Sequence, residues 1–248
     1  MATTPPRVNN AVYHDLGDRW YEADDDPLAL LRAQGRLHAP WISSEVRRVH
    51  GDRACRVLDV GCGGGLVAND LAGRGHTVVG VDLAQAALDV ATRHDATGRV
   101  RYIRADARSL PFPDGSFEAV CAMDFLEHVD ALDPVVAEMS RVLVPEGLFF
   151  FHTFNRNFFA FLVVIKGVEW FVRNVPRDLH RLHAFIKPAE LRASCETHGL
   201  LVREILGCEP RPSFAWLRLL ATGVVPSDAA FQFTRRTWTG YSGVAEKA

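Results

Sequence analysis

The stretch Val57-Leu58-Asp59-Val60-Gly61-Cys62-Gly63-Gly64-Gly65 constrains this chain more than any other. An apolar run ending in a carboxylate, a glycine-packed turn and the start of a helix specify strand, turn and helix in that order. Backbone without side chains lets a ligand press close. About twenty residues after Gly61, a second apolar run, Val78-Val79-Gly80-Val81, ends at Asp82, placed to accept hydrogen bonds from ribose hydroxyls. A nucleoside is implied. The pyrophosphate fingerprint GxGxxG requires glycine where Leu66 stands, so NAD or FAD fits less well, and no Lys-Ser/Thr pair closes the loop as in a P-loop. The plainer reading is a glycine turn that only permits tight strand–helix packing, and Asp82 at this distance weighs against it.

The surrounding sequence alternates short β-rich runs with helical ones. Arg56–Val60, a helix from about Gly64, Thr77–Asp82, a helix from about Ala84, Val100–Ala105 and Phe117–Ala122 read as βαβ units on a parallel sheet. A helix through Val135, Met139, Val142 and Leu143 closes at Pro145–Gly147, and Leu148–Thr153 follows as a strand. After an aromatic and basic insertion at 155–187, a helix over Pro188–His198 and a strand over Leu200–Cys208 resume the alternation, and Ala230–Thr234 and Thr239–Ala245 read as closing strands. Residues 1–53 form a helical N-terminal cap, in which Tyr13, Trp20, Tyr21 and Trp41 surround an acidic knot at Asp24–Asp26 and the spacing over Leu28–Val49 suits two helices. Residues 54–248 form the main domain.

Composition narrows the partners. In 248 residues, 28 Lys plus Arg stand against 30 Asp plus Glu, so no field of one sign covers the molecule and a general nucleic-acid binder is excluded. The five cysteines are scattered without a CxxC pair, which suits a reducing, cytoplasmic setting. Met1–Asn10 shows no apolar leader, and the longest apolar run, Phe158–Ile165, is too short to span a bilayer.

The GxGxG turn with Asp59 two residues ahead of it resembles the first motif of class I S-adenosylmethionine-dependent methyltransferases. Arg104-Ala105-Asp106-Ala107 and Leu110-Pro111-Phe112-Pro113-Asp114-Gly115-Ser116-Phe117-Glu118 resemble their third and fourth motifs. Arg141-Val142-Leu143-Val144-Pro145-Glu146-Gly147 resembles their post-motif turn, with Glu146 where glycine is more usual. The resemblance implies a Rossmann-like α/β fold, a mostly parallel seven-stranded sheet with helices on both faces, and S-adenosylmethionine as methyl donor. It puts Asp59, Gly61, Gly63 and Asp82 on the methionine and ribose portions and Asp106 on the adenine, with Cys62, Leu83, Ala107 and Met123 completing the cofactor set. As residues alone, Cys62 and Cys121 read as packing groups in buried strand ends, and Asp106 as a turn-capping acid.

At Cys121-Ala122-Met123-Asp124-Phe125-Leu126-Glu127-His128-Val129 the chain reaches the carboxyl end of the fourth strand, where open α/β sheets bind ligands. Together with Thr153-Phe154-Asn155-Arg156-Asn157, Val175-Pro176, His180 and Phe185-Ile186-Lys187-Pro188-Ala189-Glu190-Leu191, it resembles the ubiquinone-biosynthesis O-methyltransferases, which methylate polyprenyl catechols and phenols. That likeness implies catalytic and divalent-metal roles for Asp124, Glu127 and His128, the family more often having Glu at Asp124, with Mg2+ or another divalent cation holding the acceptor. His128 is the first candidate for ligand or general base and His152 the second. The plain alternative is that Glu127 and His128 cap a loop.

On a helical wheel, Phe158, Phe161, Leu162, Ile165, Val168, Phe171 and Val172 form an apolar arc opposite Lys166, Glu169 and Arg173, with Arg156, Arg177 and Arg181 at the flanks. Such a strip over 156–181 reads as a surface that docks on the inner face of a membrane, or as a lid over an apolar-tailed acceptor. Two other functions remain open: a tailoring methyltransferase of secondary metabolism with an O, N or C acceptor, and a non-catalytic cofactor-binding partner protein. Intact Asp82, Asp106 and Glu127-His128 argue against the last, and the stretch Pro210–Thr239, which matches no motif and is expected to complete the acceptor pocket, is the feature in favour of the first.

Overall fold

The computed structural model describes residues 16–176 and 179–248, so Tyr13, Arg177 and the Met1–Asn10 segment lie outside the described residues. Strands β1 (Arg56–Val60), β2 (Thr77–Asp82), β3 (Val100–Arg104), β4 (Phe117–Met123), β5 (Leu143–Phe154), β6 (Leu200–Pro210), β7 (Phe231–Thr234) and β8 (Gly240–Lys247) form one sheet in the order β3-β2-β1-β4-β5-β8-β6-β7. The first five pair in parallel and the last three run antiparallel. The class I resemblance implies seven strands; among the described residues the sheet has eight, because the chain beyond Cys208 turns back and lays β7 on the outer edge of β6.

Alternation along the strands separates two cores. Leu58, Val120, Phe149, Phe151 and Tyr241 face α5 (Leu132–Val142) and α8 (Pro188–Thr197). Val57, Ala119, Cys121, Phe150 and Val244 face α2 (Pro27–His50) and α3 (Leu66–Gly73). With α4 (Gln85–Arg93) between β2 and β3, helices cover both faces of the sheet.

Where the spacing over Leu28–Val49 suits two helices, α2 is a single helix of 24 residues. Asp26 caps it by accepting from Leu28 N at 3.0 Å, and Pro27 sits in its first turn. It runs on through Pro40, and Ala39, Ile42 and Val46 are fully buried against the sheet. Sheet packing overrides the break that proline favours. Ahead of it, the short α1 (Arg19–Glu22) sets Trp20 over the glycine turn.

The acidic knot ties three segments together. Asp24 O accepts from Val225 N, Asp25 holds Asn174 through both backbone and side chain, and Asp25 and Asp26 pair with Arg19.

Two features of the motif region explain their sequence. Arg141 donates to Phe112 O and Leu110 O and pairs with Asp114 and Glu138, which locks the Leu110–Asp114 loop onto α5. Glu146, at the position where glycine is more usual, has φ +61°. A side chain in that left-handed conformation costs about 1 kcal/mol. Glu146→Gly is therefore expected to raise Tm by about 2–4 °C in calorimetry; a fall would show that the strain is compensated locally.

Candidate active site

Asp59 near the end of β1 is buried, and desolvation pushes its carboxyl up to about 7, with the charge of Asp82 adding to the rise and a hydrogen bond from the Ala68 backbone opposing it. Gly61 N and Cys62 N donate to Val81 O at 2.8 and 3.1 Å. Asp82 accepts from Gly63 N at 2.9 Å and from Ala84 N at 2.8 Å, so the acid at the end of β2 also fixes the glycine turn. Gly61 has φ +69°, and a Cβ there would meet the Phe125 ring at 2.1 Å. At Gly63 and Gly64 a Cβ would meet Trp20 at 2.5 Å. These glycines admit the chain's own aromatic rings as well as a ligand.

One cavity of about 1050 Å³ joins the expected cofactor residues. Asp59, Gly61, Cys62, Gly63 and Asp82 line it from β1 and β2. Leu83, Asp106, Ala107 and Met123 line it further along the same sheet edge. Asp106 accepts from Arg108 N at 2.9 Å and pairs with its guanidinium at 2.7 Å, and that pairing holds its carboxyl below the usual range. An adenine amino group reaching Asp106 would share the carboxyl with Arg108.

The end of the cavity expected to hold the acceptor is built on the turn after β4. Asp124 takes φ +52° and donates its N–H to His152 O, and the next turn, Leu126–His128, is a single 3-10 turn. Glu127 is buried; Thr153 Oγ1 donates to its Oε2 at 2.8 Å, whereas Oε1 has no hydrogen-bond partner. Desolvation pushes the Glu127 carboxyl up to about 7. Enclosure by protein pulls His128 down to about 4 and His180 to about 3, so both rings are neutral at pH 7.

Ligand atoms of Glu127, His128 and His180 lie within 4.8 Å of one another. The set implied by the resemblance is Asp124, Glu127 and His128; this group has His180 in the place of Asp124. Asp124 carries its Oδ1 to 3.4 Å from His152 Nε2, and burial, then the charge of Glu127, pushes its carboxyl up. His152 is fully buried and bonded to Ser242 Oγ at 2.9 Å, so the second candidate base is enclosed among protein groups.

The insertion forms a continuous helical rod: α6 (Phe158–Ala160), a π-helical stretch Phe161–Gly167, and α7 (Val168–Phe171). Asn157 caps it by accepting from Ala160 N at 2.9 Å. The π-helical stretch breaks the 3.6-residue wheel. Of the apolar arc, Ile165 and Val172 are buried and Phe158 is 70% exposed, while Trp170, off the arc, is 64% exposed. Arg156 is paired with Glu190 and Lys166 with Glu169. Beside α7, α9 (Phe214–Thr222) exposes Phe214, at 82%, with Leu217 and Leu220. The Pro210–Thr239 stretch matches no motif and is expected to complete the acceptor pocket; Trp216, Leu219 and Leu220 of α9 line the cavity. Gln34 and His38 of α2 and Arg19 and Trp20 of α1 line it too, although the sequence marks their segment only as a cap.

Residues 58–151 match a family model described as a methyltransferase domain. Over 206 residues the chain is 35% identical to the ubiquinone biosynthesis O-methyltransferase of Pseudomonas fluorescens, covering 82% of this chain and 86% of that protein. A protein of the same name from Aromatoleum aromaticum is 35% identical over 81% and 85%. Among solved structures, the magnesium protoporphyrin IX methyltransferase of Synechocystis PCC 6803 with bound SAH superposes with TM-score 0.60 at 14% identity, covering 89% of this chain and 85% of that one. A methyltransferase from Methanosarcina mazei gives 0.56 at 18% identity over 82% and 96%. The structural matches support the fold, and the sequence matches the family: the chain belongs to the class I S-adenosylmethionine-dependent methyltransferases, in the family of the ubiquinone biosynthesis O-methyltransferases.

Proposed function

We propose that the chain methylates a hydroxyl of a catechol or phenol that carries an apolar tail, as a polyprenylated ubiquinone precursor does. One observation carries the reading. The cavity extends from the glycine turn, past His128 and His180, to Leu162, Phe171, Trp216 and Leu220, so it offers polar groups for a ring and an apolar exit for a tail. Its volume lies just above the roughly 300–1,000 Å³ common for ligand pockets.

S-adenosylmethionine supplies a methyl group on a sulfonium, which the acceptor oxygen displaces in line while the sulfur leaves as a thioether. The chain's part is to orient the oxygen and take its proton. Neutral His128 can accept that proton, and the enclosing walls hold the ring in place. Glu127, His128 and His180 also fit a divalent cation, because Oε1 of Glu127 is left without a hydrogen bond among two imidazoles. One carboxylate with two imidazoles suits Mn2+, Fe2+ or Zn2+ better than Mg2+. A cation bound there would lower the phenol pKa and chelate vicinal oxygens.

Incubation with labelled cofactor and a panel of polyprenyl phenols and catechols, followed by mass spectrometry, tests the reading. An O-methylated, tailed product is expected; methylation on nitrogen or carbon, or only of small untailed acceptors, would assign the enzyme to secondary-metabolite tailoring.

The exposed apolar groups of Phe158–Phe171 and α9 support docking on a lipid surface beside this exit. Among the described residues no helix is long and apolar enough to cross a membrane. Burying a large apolar side chain is worth about 1.5–3 kcal/mol. The double variant Trp170→Asp/Phe214→Asp is therefore expected to weaken flotation with anionic vesicles by roughly 10²-fold or more. Unchanged flotation would leave Phe158–Phe171 and α9 as a lid alone.

A further inference from the structure

A second group of donors in the molecule has no part in methyl transfer as described. His38 of α2, His152 of β5 and Cys208 of β6 each place a ligand atom within 4.8 Å of the other two, and all three are buried. The His38 and His152 rings lie 4.7 Å apart, centroid to centroid. The sheet's own periodicity makes them conspicuous. On the face that α2 covers, β5 is apolar at Leu148 and Phe150 and then presents His152, while β8 is apolar at Val244 and presents Ser242. An ordinary sheet–helix core needs no imidazole or hydroxyl at these positions.

Neighbouring polar groups hold both rings, as they hold the rings of ligating histidines, and Gln34 has to turn from His152 Nε2 to free that nitrogen for a cation. Ser242 Oγ lies 3.0 Å from His38 Nε2 and 2.9 Å from His152 Nδ1. Gln34 Nε2 lies 3.3 Å from His152 Nε2, and Asp124 Oδ1, which makes no hydrogen bond, is 3.4 Å from the same nitrogen.

We propose that His38, His152 and Cys208 form a binding site for a borderline-soft divalent cation of the Zn2+ class, with its fourth position open to the substrate cavity that His38 and Cys208 help to line. Two imidazoles and a thiolate select Zn2+ or Co2+ over Mg2+ and Ca2+. Three protein donors with one position left open are the arrangement of reactive rather than purely structural zinc. On binding, a cation–sulfur bond replaces the S–H bond of Cys208 and the proton leaves to solvent. The site is separate from Glu127, His128 and His180, and it does not depend on which acceptor is methylated.

Co2+ titration of the chelator-treated full chain tests the assignment, because tetrahedral Co2+ gives visible d–d bands and a near-ultraviolet thiolate-to-cobalt band. The thiolate band is expected to reach the intensity of one cobalt–thiolate bond per chain, whatever Co2+ the Glu127, His128 and His180 group takes up, and to disappear on addition of Zn2+. Cys208→Ser should abolish the thiolate band, whereas Glu127→Gln and His180→Gln should leave it intact. His38→Asn, which keeps the thiol, should weaken Co2+ binding at least about tenfold. Absence of the bands in the parent protein, a thiolate band that survives Cys208→Ser, or its loss in Glu127→Gln would overturn the proposal.

Discussion

A Glu127→Gln variant is expected to be more stable than the parent at pH 8 in EDTA and yet almost inactive. Glu127 is buried, and its carboxyl is raised from its ordinary 4.5 to about 7 by desolvation. The protonated acid therefore contributes stability that is fully present below pH 4.5 and lost as pH rises through 7. At pH 8 that loss is on the order of 3 kcal/mol, and a neutral amide of the same shape avoids it. The amide oxygen can still accept from Thr153 Oγ1. Thermal unfolding should show the amide variant ahead by roughly 5–10 °C at pH 8, with the two proteins converging below about pH 4.5. Turnover should fall by about 10²–10⁴-fold, the usual effect of removing a proton-transfer or orienting group. Added Mn2+ should raise the Tm of the parent and leave the variant unchanged. Equal stability of the two proteins at pH 8 would mean that Glu127 is ionised at no cost and has a partner in solution.

Asp82→Ala should lose S-adenosylhomocysteine binding. A hydrogen bond to a charged group contributes about 1.5–3 kcal/mol, so two ribose hydroxyls leaving one carboxylate cost roughly 10²–10⁴-fold in affinity. The same substitution leaves Gly63 N and Ala84 N without their acceptor and loosens the turn itself. Asp82→Asn keeps one acceptor oxygen and should fall between the two. Calorimetric titration reads the affinity directly; parent-like binding by the alanine variant would move the ribose contact elsewhere.

The convergence of the expected cofactor residues on one cavity is legible in the sequence because they lie close together along the chain and the sheet edge. Asp59, the glycine turn and Asp82 lie on two adjacent strands whose register is set by alternating apolar residues, and pairing Asp59 with Gly80 places them at one edge. The acceptor half is legible only in part. Glu127-His128 follows β4 directly, but His180 reaches it from the insertion, and no spacing in the sequence marks such a long-range meeting. The outward face of Phe158–Phe171 escapes the sequence for a different reason. A wheel of 3.6 residues per turn fails where the backbone widens to π-helix, so Ile165 faces inward and Val163 outward. The single span of α2 through Pro40 is hidden because local proline preference gives way to tertiary packing. Strand β7 is legible at Ala230–Thr234 as a closing strand, and only its pairing with β6, which makes the sheet eight-stranded, is fixed in three dimensions.

The sheet's two outer edges bear on how such a protein stays dispersed. It carries exposed aromatic and aliphatic groups on two helices, so open strand edges would add a second route to self-association. On one side β3 carries Arg101 and Arg104. On the other, β7 covers Gly207–Pro210, and the register of β6 slips between Val202 and Glu204, leaving Arg203 as an extra residue paired with Glu246. Charge at one border and a kink at the other deny an incoming strand a straight template, so fibrillar stacking is disfavoured and stickiness is confined to the helices around the cavity mouth.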